Sequence, residues 1–181
     1  MHVTVDLDDT LIYTQQDYNE AITSLSEWLS GKTDTEPSKI TTRLNEIDRE
    51  NLSEYGLSRV RFPASFTETT QEFLDDPTQS ELMHAERLAE LAFKPPEVYR
   101  ERGFRESTKT LLDELTASDA TVHLLTAGDE DIQQRKIRGL DLQEYFDDIA
   151  IVGLGGKEEF LRDLTEDTTT ERVIHIGNSL S

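Results

Sequence analysis

At 181 residues the chain can bury one substantial core, or a core with a smaller helical unit beside it. It contains no cysteine, which excludes disulfides, thiolate zinc sites and a cysteine nucleophile. With 38 acidic against 18 basic residues the net charge is −20, a surface that repels nucleic-acid phosphate.

The predicted elements begin with "HVTVDLDDTLIY", residues 2–13, where Val3, Val5 and Leu7 alternate with Thr4 and Asp6 as a strand requires. That strand, 3–7, runs into three carboxylates, Asp6, Asp8 and Asp9. Residues 15–103 then show no strand pattern. Four stretches have helical apolar spacing: "DYNEAITSLSEWLSG", "SKITTRLNEIDRENLSEYG", "FPASFTETTQEFLDD" and "TQSELMHAERLAELAF". Gly31, Gly56, Pro77 and Pro95-Pro96 punctuate them. Leu25, Trp28, Leu29, Phe62, Phe66 and Phe73 read as their core.

From residue 104 the pattern becomes helix, strand, helix, strand, helix, strand, with strands at 120–128, 147–153 and 172–179 and helical spacing at 106–118, 129–140 and 156–164. Such alternation implies a parallel sheet that the first strand joins. The expectation is therefore an α/β Rossmann-like core from residues 1–14 and 104–181, interrupted by an all-helical insert, 15–103. No apolar run approaches membrane-spanning length and no signal sequence opens the chain, so a cytoplasmic protein with neither membrane nor nucleic-acid partner is expected. The acids are scattered along the helices, and lysine occurs only six times against 21 threonines. Both features suit a halophilic surface, on which salt screens self-repulsion.

Two D-x-D pairs occur. Asp129 and Asp131 open a predicted helix after Gly128, where acids favour the helix dipole. Asp6 and Asp8 end a strand, the place where open parallel sheets bind ligands. Three other strand ends bring Thr126-Ala127-Gly128, "LGG" with Lys157, and Gly177-Asn178-Ser179 to the same edge. Hydroxyl, ammonium and open N–H groups suit a phosphate, and carboxylates suit Mg²⁺. Lys136 also follows the second strand, but Ile132, Ile137 and Leu140 place it on an amphipathic helix, where a solvated or helix-end role is expected. His2, His84, His123 and His175 lack metal-ligand spacing.

Taken in order, "VTVDLDDTL", "LLTAG", Lys157 in "GGKEEF" and "VIHIGNS" resemble the four motifs of the haloacid dehalogenase (HAD) superfamily. The helical insert is similar to the type 1 cap of that superfamily. The resemblance implies a Mg²⁺-dependent phosphohydrolase acting on a small phosphorylated metabolite. Asp6 would be the nucleophile that forms an aspartyl-phosphate, and Asp8 the acid and then base. Thr126 and the Ala127 N–H would hold the phosphoryl group, which Lys157 would bridge to Asp6. Asp6 and the Asp8 carbonyl would bind Mg²⁺, with Asn178 as a weak further ligand, and Thr10 would brace the turn. Asp9 is expected to face solvent or to cap the next helix.

The same resemblance admits a phosphomutase, a haloacid dehalogenase, or a binding or regulatory protein that has lost turnover. Asn178 stands where the family often has aspartate. The family's fifth strand and last helix are absent, so the natural chain is expected to be longer, and a metal-binding Asp within a few residues past Ser181 would favour an enzyme. Oligomeric state is not legible.

Overall fold

The computed structural model describes residues 1–167 and 172–177. The chain folds into two compact units, one made of Met1–Thr14 with the described part of Pro95–Ser181, the other of Gln15–Lys94. The first is an α/β unit. Its strands β1 (His2–Val5), β2 (Thr121–Ala127), β3 (Asp148–Val152) and β4 (Val173–Ile176) form a parallel sheet in the order β3-β2-β1-β4. Val5 lies opposite Leu124 on one side and Ile176 on the other, and Ala127 lies opposite Val152. All described strands therefore end on one edge, where the chain leaves the ladder as turns.

The second unit carries the helices α1 (Gln15–Ser30), α2 (Pro37–Tyr55), α3 (Arg61–Phe73) and α4 (Gln79–Ala89). Their periodic apolar positions meet inside, with Leu25, Leu29, Ile40, Leu44, Phe62 and Phe66 buried. Trp28 and Phe73, read as core from the sequence, are only half-buried, and the Trp28 ring lies 4.7 Å from that of His84. The start of α4 is fixed by a capping box in which Thr78 and Glu81 satisfy each other's backbone N–H groups.

The α/β unit adds α5 (Pro96–Arg102), α6 (Thr108–Thr116), α7 (Glu130–Gly139) and α8 (Gly156–Asp167). Residues 95–103, which the sequence reading assigned to the helical insert, belong to this unit. A Cβ on Gly139 of α7 would lie 2.5 Å from the Pro96 carbonyl oxygen, so only glycine permits so close an approach of α7 to α5. One core of Val3, Val5, Leu7, Leu11, Tyr99, Leu112, Leu124, Ile137 and Phe146 holds sheet and helices together. Among the described residues, no helix is long and apolar enough to cross a membrane.

Candidate active site

The acidic turn after β1 begins one residue past the ladder. Asp6 N–H still donates to the Ile176 carbonyl at 2.8 Å, and the strand stops at Val5, two residues short of the expected end. Leu7, Leu11 and Ile12 are buried, which pins the turn to the core while Asp6 and Asp8 alternate around Leu7. Backbone bonds from Leu11 (2.9 Å), Thr10 and Ile12 (both 3.3 Å) to the Leu7 carbonyl close it. Asp9 adopts φ +52°, a conformation aspartate tolerates better than most residues, and its carbonyl accepts from Arg105. Its carboxylate receives the Thr14 N–H and hydroxyl at 3.0 and 3.2 Å, tying down the residue before α1. Thr10 was expected to brace this turn. Its hydroxyl is buried without a hydrogen-bond partner, so the bracing comes from the backbone and from Asp9.

Asp6 and Lys157 form a buried pair, 2.8 Å apart, with side chains 4% and 5% exposed. Lys157 reaches Asp6 from the first turn of α8, and the other Asp6 oxygen accepts the Leu7 N–H at 2.8 Å. Burial raises the Asp6 pKa above the ordinary carboxylate value, with Lys157 and the Leu7 N–H acting against that rise and Asp8 adding to it. A carboxyl raised in this way weighs against the folded state above its folded pKa, and the penalty is relieved as pH falls through that value. The fold thus holds the ionised form of Asp6 at a cost to stability.

Asp8 has a lysine of its own, and here the structure corrects the sequence reading. Lys136, expected to be solvated or at a helix end, is buried and lies 2.7 and 2.9 Å from the two Asp8 carboxylate oxygens. The Gln133 amide nitrogen, one turn earlier on α7, shares its two hydrogens among Asp8 at 2.8 Å, the Thr126 hydroxyl at 2.9 Å and the Ala127 carbonyl at 2.9 Å. The reason is helical geometry. Ile132, Gln133, Lys136 and Ile137 share one buried face of α7, so the two polar residues sit among the apolar ones that dock the helix. Asp129 caps this helix through the Asp131 and Ile132 N–H groups. Sequence reasoning overlooked Gln133: its i, i+3 spacing puts it on one face with Lys136, but nothing along the chain says what that face meets.

Thr126 is fully buried at the end of β2. Its oxygen accepts from Gln133, which leaves the hydroxyl hydrogen for another acceptor. Asn178, the weak metal ligand, lies outside the described residues. Three of the four histidines lie on one sheet face, and two of them touch. His2 and His123 rings stack and bond at 3.0 Å, and His175 bonds the Thr4 hydroxyl at 2.8 Å.

The oxygen donors suit a hard cation. Each Asp6 oxygen has one bonded partner, and a carboxylate has about four lone-pair sites in all. The Asp8 carboxylate is engaged by α7, so that residue can offer its carbonyl. Among the described residues no three Asp, Glu, His or Cys side chains form a metal cage. The donor set fits an ion that keeps several waters and takes one or two protein oxygens, which is the habit of Mg²⁺.

Residues 1–181 match the sequence profile of haloacid dehalogenase-like hydrolases. A comparison with curated proteins found no match. Among solved structures, a haloacid dehalogenase-like family hydrolase from Xanthomonas campestris is 25% identical, with a TM-score of 0.81 over 98% of this chain and 72% of that one. A putative HAD-hydrolase from Bacillus subtilis, bound to magnesium, is 18% identical, with a TM-score of 0.60 over 98% and 79% of the two chains. An L-2-haloacid dehalogenase from Xanthobacter autotrophicus is 16% identical, with a TM-score of 0.54 over 96% and 68%.

Proposed function

The chain belongs to the haloacid dehalogenase-like hydrolase family, and on that premise we propose that it hydrolyses a small phosphate monoester through an aspartyl-phosphate on Asp6. The observation that carries this reading is the pair of carboxylates at one sheet edge, each held by its own buried lysine, beside the Thr126 hydroxyl. An anionic phosphoryl group approaching a carboxylate needs positive charge and hydrogen-bond donors around it, and Lys157 and Thr126 supply them.

In the first step an Asp6 oxygen bonds to phosphorus, the bond to the leaving oxygen breaks, and protonated Asp8 gives that oxygen its proton. In the second, water attacks phosphorus, Asp8 takes the water's proton, and the Asp6–phosphorus bond breaks to release phosphate. The Asp6 carboxylate and Asp8 carbonyl would hold Mg²⁺, which when bound neutralises charge on the phosphoryl oxygens. In this reading the helical unit, Gln15–Lys94, is the type 1 cap that selects substrate. Dehalogenation is the weaker reading, since it needs no acid at the position of Asp8. The likeness to a dehalogenase at 16% identity speaks for the fold alone.

The test is phosphate release over a panel of phosphorylated metabolites, with Mg²⁺ or with EDTA, for the wild-type protein and Asp6→Asn. Mg²⁺-dependent release that Asp6→Asn abolishes supports the reading. Retained activity in Asp6→Asn overturns it. Transfer of phosphate to a sugar hydroxyl, without free phosphate, would identify a mutase instead.

A further inference from the structure

We infer that Lys136 and Gln133 of α7 are positioning residues that aim the Asp8 carboxylate at the leaving oxygen and fix its distance from Thr126. The inference rests on the phosphohydrolase reading of Asp8 and extends it to two residues outside the motifs that suggested that reading.

Three observations carry it. The ion pair is lopsided: the Lys136 side chain is 4% exposed and that of Asp8 is 29% exposed. A buried cation thus stands behind a carboxylate that still meets solvent, which is the form of a tether rather than of a core contact. The Asp6–Lys157 pair, with both ends buried, differs in this respect.

The second observation is the Gln133 amide. Its nitrogen lies 2.8–2.9 Å from the Asp8 carboxylate, the Thr126 hydroxyl and the Ala127 carbonyl. A reversed amide would set oxygen against the Ala127 carbonyl, which carries no hydrogen, so this orientation is the consistent one. The cost is visible in Gln133 Oε1, which is buried without a partner. A buried unsatisfied acceptor beside a site calls for an explanation, and holding acid and phosphoryl-binding hydroxyl in one frame provides it.

The third is Gly128, where a Cβ would lie 2.8 Å from the same amide nitrogen. The turn after β2 is shaped to admit Gln133.

A purely structural pair would contribute little, because replacing a buried ion pair with apolar groups is often neutral for stability. A tether has a different signature. Misplacing a catalytic group by about 1 Å can cost on the order of 10²-fold in rate. The loss should be confined to substrates whose leaving oxygen needs a proton.

The test compares phenyl phosphate with 4-nitrophenyl phosphate, similar in shape but with poor and good leaving groups, in saturating Mg²⁺ on the full chain. The kcat/KM ratio reports the steps up to departure of the leaving group. Lys136→Met and Gln133→Met should each lower it on the order of 10²-fold for phenyl phosphate and less than about fivefold for 4-nitrophenyl phosphate. Inhibition by inorganic phosphate should stay within about twofold of wild type, because neither residue is assigned to the phosphoryl group. Asp8→Asn should show the same selectivity, more strongly.

Equal losses on both esters, or a loss traced to weaker phosphate inhibition, in folded variants would overturn the inference. If Asp8→Asn is itself unselective, the assignment of Asp8 as acid fails and the inference falls with it. A selective Asp8→Asn beside unselective α7 variants would sink the tether alone. Should Lys136→Met not fold, Gln133→Met decides, since it removes no charge.

Discussion

The α/β unit carries two ion pairs built on buried lysines beside exposed ones such as Lys109–Asp113, whereas the pairs of the helical unit are mostly exposed. In the α/β unit, Lys157 and Lys136 are buried and each meets one carboxylate at a strand end. In the helical unit the paired cations are 18–38% exposed, although one acid that Lys94 meets, Asp17, is buried. Arg43 pairs with Glu46, Glu50 and Glu72, Lys94 with Asp17 and Glu20, and Lys32 with Glu81. The difference teaches what each pair is for. A buried pair pays desolvation and adds little net stability, so its retention points to chemistry. A surface pair is worth about 0–1 kcal/mol and is screened by salt, so its role is to temper a surface crowded with acids.

The sharpest way to break this comparison is Lys157→Met. If the buried pair serves catalysis, kcat/KM for phosphate esters should fall on the order of 10³-fold per folded molecule, and the melting temperature should fall on the order of 10 °C because Asp6 is left buried and unpaired. A large loss of stability with little loss of activity per folded molecule would reverse the assignment.

Salt should act on the other unit's kind of pair. With a net charge of −20, raising KCl from roughly 0.1 M to 2 M should raise the melting temperature on the order of 5 °C, because relief of acid–acid repulsion outweighs weakened surface pairs. Activity per folded molecule should change far less, since Lys136, Lys157 and Asp6 are buried away from solvent ions. A flat or falling melting curve would mean the acidic surface is no salt adaptation.

Packing gives a third contrast. Gly139→Ala would force a Cβ to 2.5 Å from Pro96 O, so α7 must shift from α5, at a cost of about 1–3 kcal/mol in chemical denaturation. Because α7 carries Gln133 and Lys136, activity on phenyl phosphate should fall with it. Gly56→Ala meets no neighbour, and its cost should be backbone strain alone, at φ +59°.

The smallest effect is expected at Glu81. Hydrogen bonds from Lys32 and Thr78 lower its pKa to about 2, from an unfolded value of 4.5. A depressed carboxyl stabilises the fold above its unfolded pKa, and that contribution is lost as pH falls through its folded one. Glu81→Gln should therefore lower the melting temperature slightly near neutral pH, and the gap from wild type should close between about pH 4.5 and 2. A gap that persists at pH 2 would place the loss in capping geometry rather than in charge.

The sequence by itself determined the alternation of elements, the parallel sheet and the carboxylates at the end of its first strand. These follow from periodicity and from the rule that open sheets bind ligands at strand ends, which are local or topological constraints. The partnership of Lys157 with Asp6 was legible because motif order assigned it. The tertiary structure alone decided the place of residues 95–103, since a short helix between two prolines and a glycine has no periodicity long enough to show which unit buries it. It alone also decided Lys136 and Gln133. On a helix projection both look like polar intrusions in an apolar face, and an amphipathic pattern reads such residues as solvated. Only when Ile137 docks in the sheet core, with Ile132 buried on the same face, does that face meet the carboxylate of Asp8. Burial then makes a long ammonium stem and an amide seek the one set of acceptors within reach, a choice that depends on three-dimensional distance rather than on spacing along the chain.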